Sequence, residues 1–361
     1  MERICDPLNF ELAMARVIAN GGSPGVDGMR VERLEAYFAL HGPLITEKLL
    51  AGTYRPQPVK RVEIPKPDGG VRKLGIPTAV DRVVQQAILL VLSPEWDATF
   101  SDNSFGFRPH RSAQDAVARS QSYLEEGYAW VVDMDLEKFF DRVNHDVLMS
   151  RVARRVQDKR LLKLIRAFLN AGVLEDGLFS DTHEGTPQGG PLSPLLSNLL
   201  LDELDCELAA RGLRFSRYAD DCNIYVRSRR AGERVLTSIT TWLAAKLRLK
   251  VNGQKRGGPP VEPQVPWVHV RATPRASPQS RRSSRNVFAR SRNAIEVHLE
   301  AGDRRTPQLP SWLARLLRLL SDTLGTSRSG SWLHRRLRSY VWKQWRTARH
   351  VSRIAATGRG A

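Results

Sequence analysis

Three aspartates are the residues of this sequence best suited to do chemistry. Asp135 ends the short apolar run Trp130-Val131-Val132-Asp133-Met134, while Asp220 and Asp221 stand side by side far downstream, with apolar segments before and after them. An Asp at a strand end or in a turn is commonplace. Carboxylates crowded between apolar segments repel one another unless a cation joins them. Their hard oxygens suit Mg²⁺, which keeps water and substrate phosphates in its shell. Two such ions about 4 Å apart, bridged by carboxylates, lower the pKa of an attacking hydroxyl and stabilise a departing pyrophosphate. The chemistry such a set supports is nucleotidyl transfer.

That chemistry needs the acids to meet, so the elements carrying them matter. Residues 130–135 read as a buried strand ending in acid. Residues 213–218 and 222–227 read as two strands paired around a two-acid turn. Alternation at 62–65 and 71–74, around Lys66-Pro67-Asp68-Gly69-Gly70, predicts a hairpin with a basic rim. Helical periodicity is expected near 11–19, at 81–92, 161–169 and 192–204. Gly21-Gly22 stops the first of these, and Ser23-Pro24-Gly25-Val26-Asp27-Gly28 follows as a turn-rich loop. The class implied is α+β.

With 56 Lys+Arg against 38 Asp+Glu, the formal net charge is +18, which favours a polyanionic partner such as nucleic acid. Apolar runs such as 87–92 fall far short of the roughly 20 residues that span a bilayer, so no membrane is expected as partner. The opening residues lack a secretory pattern. Cys5, Cys206 and Cys222, odd in number and far apart, fit neither a disulfide framework nor a zinc site. They are expected to be buried small hydrophobes in a reducing, cytoplasmic setting.

Tyr218-Ala219-Asp220-Asp221 resembles the Tyr-x-Asp-Asp box of reverse transcriptases, and Val131 through Asp141 resembles their first catalytic block. The resemblance implies Asp135, Asp220 and Asp221 as ligands of two Mg²⁺ ions, with Asp135 chosen over Asp133 by spacing to Phe139-Phe140. It implies Phe140 beneath the incoming sugar, excluding a 2′-hydroxyl. A core aromatic is the plainer reading of that residue. Thr186-Pro187-Gln188-Gly189-Gly190-Pro191-Leu192-Ser193-Pro194 resembles the Pro-Gln-Gly block. There Gln188 would contact the nucleotide, and Gly189 and Gly190 would let backbone approach the template. As bare sequence it is a Gly/Pro turn before a helix capped by Ser193. Lys66 and Arg72 match the fingers cations that grip the triphosphate, although a solvated hairpin rim explains them as simply. Residues 104–112, 23–28 and 76–82 resemble blocks of the group II intron branch. Arg108, His110 and Arg111 would then contact template phosphates. Together these blocks, in the family's order, cover about 9–255 and are similar to a group II intron reverse transcriptase/maturase. The resemblance implies a right-hand polymerase with interleaved fingers and palm. Its expected partners are group II intron RNA, a DNA target or primer, and dNTPs.

The expected organisation is an N-terminal segment with fingers (1–100), a palm with interleaved fingers elements (101–255), an atypical segment (256–330) and a C-terminal basic helix (331–361). Residues 256–330 hold thirteen arginines and no lysine, with much Pro and Ser. Read one nucleotide later, codons chosen for 265–269 yield Phe-Leu-Gly-Phe, the strand with which the family continues, and codons chosen for 315–320 yield Gly-Tyr-Phe-Gly-Phe, a string of its thumb. The segment therefore reads as a degraded, out-of-frame thumb between two compensating frameshifts; a natural basic RNA-binding insert is the alternative. The coding DNA across codons 250–335 separates them. A chain lacking the thumb is expected to polymerise weakly or not at all. A non-catalytic RNA-binding maturase and a host-defence or retron-type reverse transcriptase stand as alternatives.

Overall fold

The computed structural model describes residues 1–65, 71–175, 177–187, 189–252 and 270–272. The chain opens with α1 (Pro7–Asn20) and α2 (Leu34–Leu50), followed by β1 (Val59–Pro65) and β2 (Val71–Ile76). Next come α3 (Ala79–Asp97), α4 (Ala113–Glu125), β3 (Trp130–Asp135), the single turn α5 (Phe139–Arg142), α6 (His145–Arg155) and α7 (Lys159–Leu169). The short strands β4 (Val173–Glu175) and β5 (Leu178–Ser180) precede α8 (Ser193–Ala210), β6 (Arg214–Tyr218), β7 (Asp221–Val226), α9 (Arg229–Lys246) and β8 (Val270–Ala272).

The strands form two four-stranded sheets, ordered β2-β1-β4-β5 and β6-β7-β3-β8. The class is α+β, as expected. In the second sheet β3 lies between β7 and β8, antiparallel to both. Side chains alternate between its faces. Val132, Met134, Phe215, Cys222 and Ile224 share one face and join the main core with Leu200, Leu204, Ile239 and Leu243 of α8 and α9. The other face carries Val131 and Tyr225, covered by Tyr123 of α4. It also carries Asp133, Asp135, Asp221 and Asn223, in register toward the strand ends. Helix α4 thus covers one end of this face, and the acids line the other.

Local chemistry explains the helix ends. Asp6, Thr78, Asn144 and Asp158 cap α1, α3, α6 and α7 through their side-chain oxygens. Ser112 and Asp115 form a reciprocal capping box at α4. The cap expected from Ser193 does not form. Its hydroxyl donates instead to the Pro187 carbonyl (2.7 Å), tying the preceding loop to the start of α8. Cys5 and Cys222 are buried as expected, whereas Cys206 is exposed on α8.

Two blocks distant in sequence pack as one unit near the N-terminus. Arg82 donates to the carbonyls of Gly21 (3.0 Å) and Ser23 (3.2 Å). A Cβ on Gly25 would come within 2.7 Å of the Thr78 backbone. The 23–28 loop is therefore clamped onto the first turn of α3.

Candidate active site

The β3–β7 register sets Asp135 directly opposite Asp221, and β6–β7 sets Tyr218 opposite Asp221. Cross-strand partners lie about 5 Å apart at Cβ on a shared face. Asp221 is thus the first residue of β7 and is buried, not half of a two-acid turn. The loop proper is Ala219-Asp220. Ala219, its first residue, takes left-handed backbone (φ 57°), where a two-residue hairpin of this kind usually places Gly. Asp133 lies two residue pairs further along on the same face, opposite Asn223, and is buried.

A fourth residue joins the acids. Residues 250–252 run antiparallel beside the end of β3 through a Leu136–Val251 bridge. Asn252 donates its backbone N–H to the Asp135 carbonyl (2.8 Å) and its side-chain amide to the Asp135 carboxylate (3.2 Å). Nothing in the type or spacing of Asn252 marks it in the sequence; only the folded return of the chain does. After β3 the backbone turns through Lys138 in the left-handed region (φ 47°) into α5.

Phe140 is half-buried, edge-on to Phe139 (ring centroids 5.2 Å) and against the core. Its carbonyl accepts from Thr186 N–H (2.7 Å), joining α5 to the Pro-Gln-Gly loop. Gln188 and Lys66 lie outside the described residues. Arg72 sits in β2, paired in register with Ile64.

One expectation changes in the structure. Arg108 is buried rather than presented to a template. Its guanidinium donates to the Asp97 carboxylate (2.7 Å) and to the carbonyls of Asp97, Ser101 and Ser104. Four short bonds to fixed protein acceptors hold it inside the loop. Gly189 and Gly190 permit close approach of neighbouring protein atoms. A Cβ on Gly189 (φ +146°) would lie 2.7 Å from the Gly75 carbonyl of β2, and one on Gly190 would overlap the Gln85 side chain of α3. His110 remains exposed with φ 58°. Arg111 pairs with Asp102 (2.6 Å) and lies over the Phe105 ring at 5.7 Å. Phe107, unremarked as a site residue in the sequence, is half exposed at φ 60°.

The donor chemistry at the end of β3 fits a hard divalent cation, since three carboxylates lie in adjacent strand and turn positions. Among the described residues no group of three or more His, Cys, Asp or Glu side chains is drawn together tightly enough to hold an ion. No helix among the described residues is long and apolar enough to cross a membrane.

Comparison with known proteins identifies the family. The family model described as reverse transcriptase (RNA-dependent DNA polymerase) matches residues 64–257, more than half of the chain. Protein YkfC of Escherichia coli K12 is 43% identical over 195 residues, 53% of this chain and 51% of that protein. Group II intron-encoded protein LtrA of Lactococcus lactis is 39% identical over 174 residues, 48% of this chain and 29% of LtrA. The similar stretch thus spans about half or less of these relatives' lengths. A solved Cas6-RT-Cas1–Cas2 complex contains a chain 25% identical, with a TM-score of 0.42, covering 66% of this chain and 41% of that one. The chain belongs to the reverse transcriptase (RNA-dependent DNA polymerase) family and resembles its group II intron reverse transcriptases/maturases.

Proposed function

We propose that this chain is an RNA-directed DNA polymerase serving a group II intron, which binds the intron RNA, assists its splicing and copies it into DNA. The observation that carries the reading is the register that sets Asp135 opposite Asp221, with Asp220 in the adjoining turn. When bound there, two Mg²⁺ ions would activate a primer 3′-hydroxyl and offset charge on the leaving pyrophosphate. Asp135, Asp220 and Asp221 hold and orient them, and Asn252 restrains the Asp135 carboxylate. Phe140 lies beneath the incoming sugar, and Gln188, Lys66 and Arg72 act on the nucleotide. His110 and Arg111 face the nucleic-acid backbone, while Arg108 shapes the loop that carries them. Gly189 and Gly190 set the Pro-Gln-Gly loop against the fingers.

The test is Mg²⁺-dependent dNTP incorporation on an RNA template, run beside binding of a group II intron RNA. Asp135→Asn and Asp220→Asn should abolish incorporation and leave RNA binding intact. Incorporation that survives either substitution overturns the metal assignment. A second reading, a non-catalytic RNA-binding maturase, is favoured by the composition of residues 256–330. A thumb would form one wall of the duplex channel, so a chain whose thumb is degraded should polymerise weakly or not at all, and processive synthesis by this chain would overturn that expectation.

A further inference from the structure

Behind the acid turn lies a buried cation that the reaction itself does not use. Arg217 is 1% exposed and its partner Asp205 on α8 is fully buried. All five guanidinium N–H groups have acceptors. Nε and one Nη donate in parallel to the two Asp205 oxygens (2.8 and 2.6 Å). The same Nη donates to Ser104 Oγ (2.8 Å), and the other donates to Asn198 Oδ1 (3.1 Å) and to the Ala219 carbonyl (2.8 Å). Burial alone would strip this arginine of its proton more easily; the Asp205 carboxylate outweighs that and raises its pKa.

The surrounding backbone converges on the same point. Arg217 N–H donates to the Asn103 carbonyl (2.8 Å), and Phe105 N–H donates to the Arg217 carbonyl (2.9 Å). Asn198 donates its amide to the Gly106 carbonyl (2.9 Å). A side chain on Gly106 would overlap the backbone nitrogen of Ala219. The 103–108 loop is thus pressed against the turn from one side, and Arg217 grips the turn's carbonyl from beneath.

A buried ion pair is seldom retained for stability, because apolar residues of similar volume often serve as well. What apolar residues cannot do is hold a carbonyl whose residue sits in left-handed backbone. We propose that Arg217, with Asp205 as its counter-charge, is a positioning residue for the acid turn. It fixes the plane of the peptide that leads from Ala219 into Asp220, so that the carboxylate meets a divalent cation already oriented. This rests on the reading of Asp135, Asp220 and Asp221 as cation ligands.

The test compares the full-length wild-type chain with the paired substitution Arg217→Met/Asp205→Leu, which removes both charges together. Ser104→Ala is the milder variant should the pair not fold, and Asp220→Asn is the control for the cation site. Mn²⁺ affinity is measured by calorimetry, hydrogen exchange of the 218–222 amides by mass spectrometry, and the unfolding midpoint by circular dichroism. The expected result is a midpoint near wild type for the pair, faster exchange confined to the turn, and Mn²⁺ affinity about tenfold weaker, as for other residues that orient metal ligands. Ser104→Ala should move exchange and affinity in the same direction by a smaller factor. Wild-type exchange and affinity in the folded variants would overturn the proposal. If Asp220→Asn binds Mn²⁺ as the wild type does, the cation reading fails instead. The turn's exchange then decides alone: loosening supports the strut, and unchanged protection overturns it.

Discussion

Gly189 and Gly190 are neighbours in the chain, yet the space each meets is different, and the difference is measurable. A methyl on Gly189 would face a backbone carbonyl that cannot move aside, on a residue already at φ +146°. A methyl on Gly190 would face the amide of Gln85, the far end of a flexible side chain. Gly190→Ala should cost about 1–3 kcal/mol, the usual range for overpacking, and Gly189→Ala should cost more because backbone strain adds. Gln85→Ser should rescue the first and not the second. Urea midpoints of the four variants check this ordering, and equal costs would refute it. At this scale the sequence was legible where chemistry depends on residue type. The three acids and the aromatic beside them stand out through residue type and spacing, which the sequence carries directly. Asn252 and Arg217 do not, because their roles are contacts across long stretches of chain. Arg108 misled for a related reason: a charged loop residue reads as surface until its acceptors are known.

Among the elements, those with strong periodicity or unbroken apolar runs matched their sequence signals. The α3 and α7 helices and the β3 strand are examples, since each buries a face that the pattern defines. Helix α4 has no counterpart among the expected helices because its mixed face hides the periodicity, although Ser112 and Asp115 cap it in the structure. Strands β4 and β5, three residues each, were too short for alternation to register. The start of α7 offers a test. Asp158 accepts from the N–H groups of Arg160 (2.8 Å) and Leu161 (3.4 Å), and pairs with the Arg160 guanidinium (2.8 Å). The Arg160 hydrogen bond leads the causes that hold its carboxyl well below the usual carboxylate range. Asp158→Asn keeps the cap oxygen and removes the charge, so it isolates the ion pairs that Asp158 makes with Arg160 and with the Met1 ammonium (2.7 Å). The folded pKa is depressed, so the stabilisation is fully present above the unfolded value of about 3.9 and lost as pH falls through the folded one. Wild type should therefore exceed the variant in stability at pH 7, with the gap narrowing as pH falls below about 4. A gap that stays constant from pH 7 into strong acid would show that the charge is idle.

For the whole molecule, the excess of 18 positive charges predicts behaviour that no single contact does. RNA binding should weaken linearly in the logarithm of salt concentration, since cations on the protein release counterions from phosphates. Arg111→Ala should flatten that slope by somewhat under one unit if the residue meets a phosphate. Filter-binding isotherms between about 50 and 200 mM salt, the span over which such slopes are usually read, give the answer. An unchanged slope would confine Arg111 to its pair with Asp102.

The sheet that carries the acids also has its rims covered. Asn103 and Phe105 exchange backbone hydrogen bonds with Arg217 on the outer side of β6, and β8 pairs with residues 130–132 on the outer side of β3. An open strand edge is a template for pairing with a second molecule, and Trp130-Val131-Val132 is an apolar, β-prone one. A fragment ending at residue 252 would keep every proposed ligand and lose that cover. It should self-associate in light scattering where the full chain does not, and Trp130→Lys, a charge at the half-buried start of the bared edge, should suppress the association. Residues that contribute nothing to chemistry would then be what keeps the protein a monodisperse solute, and boundaries for an expression fragment belong beyond residue 272.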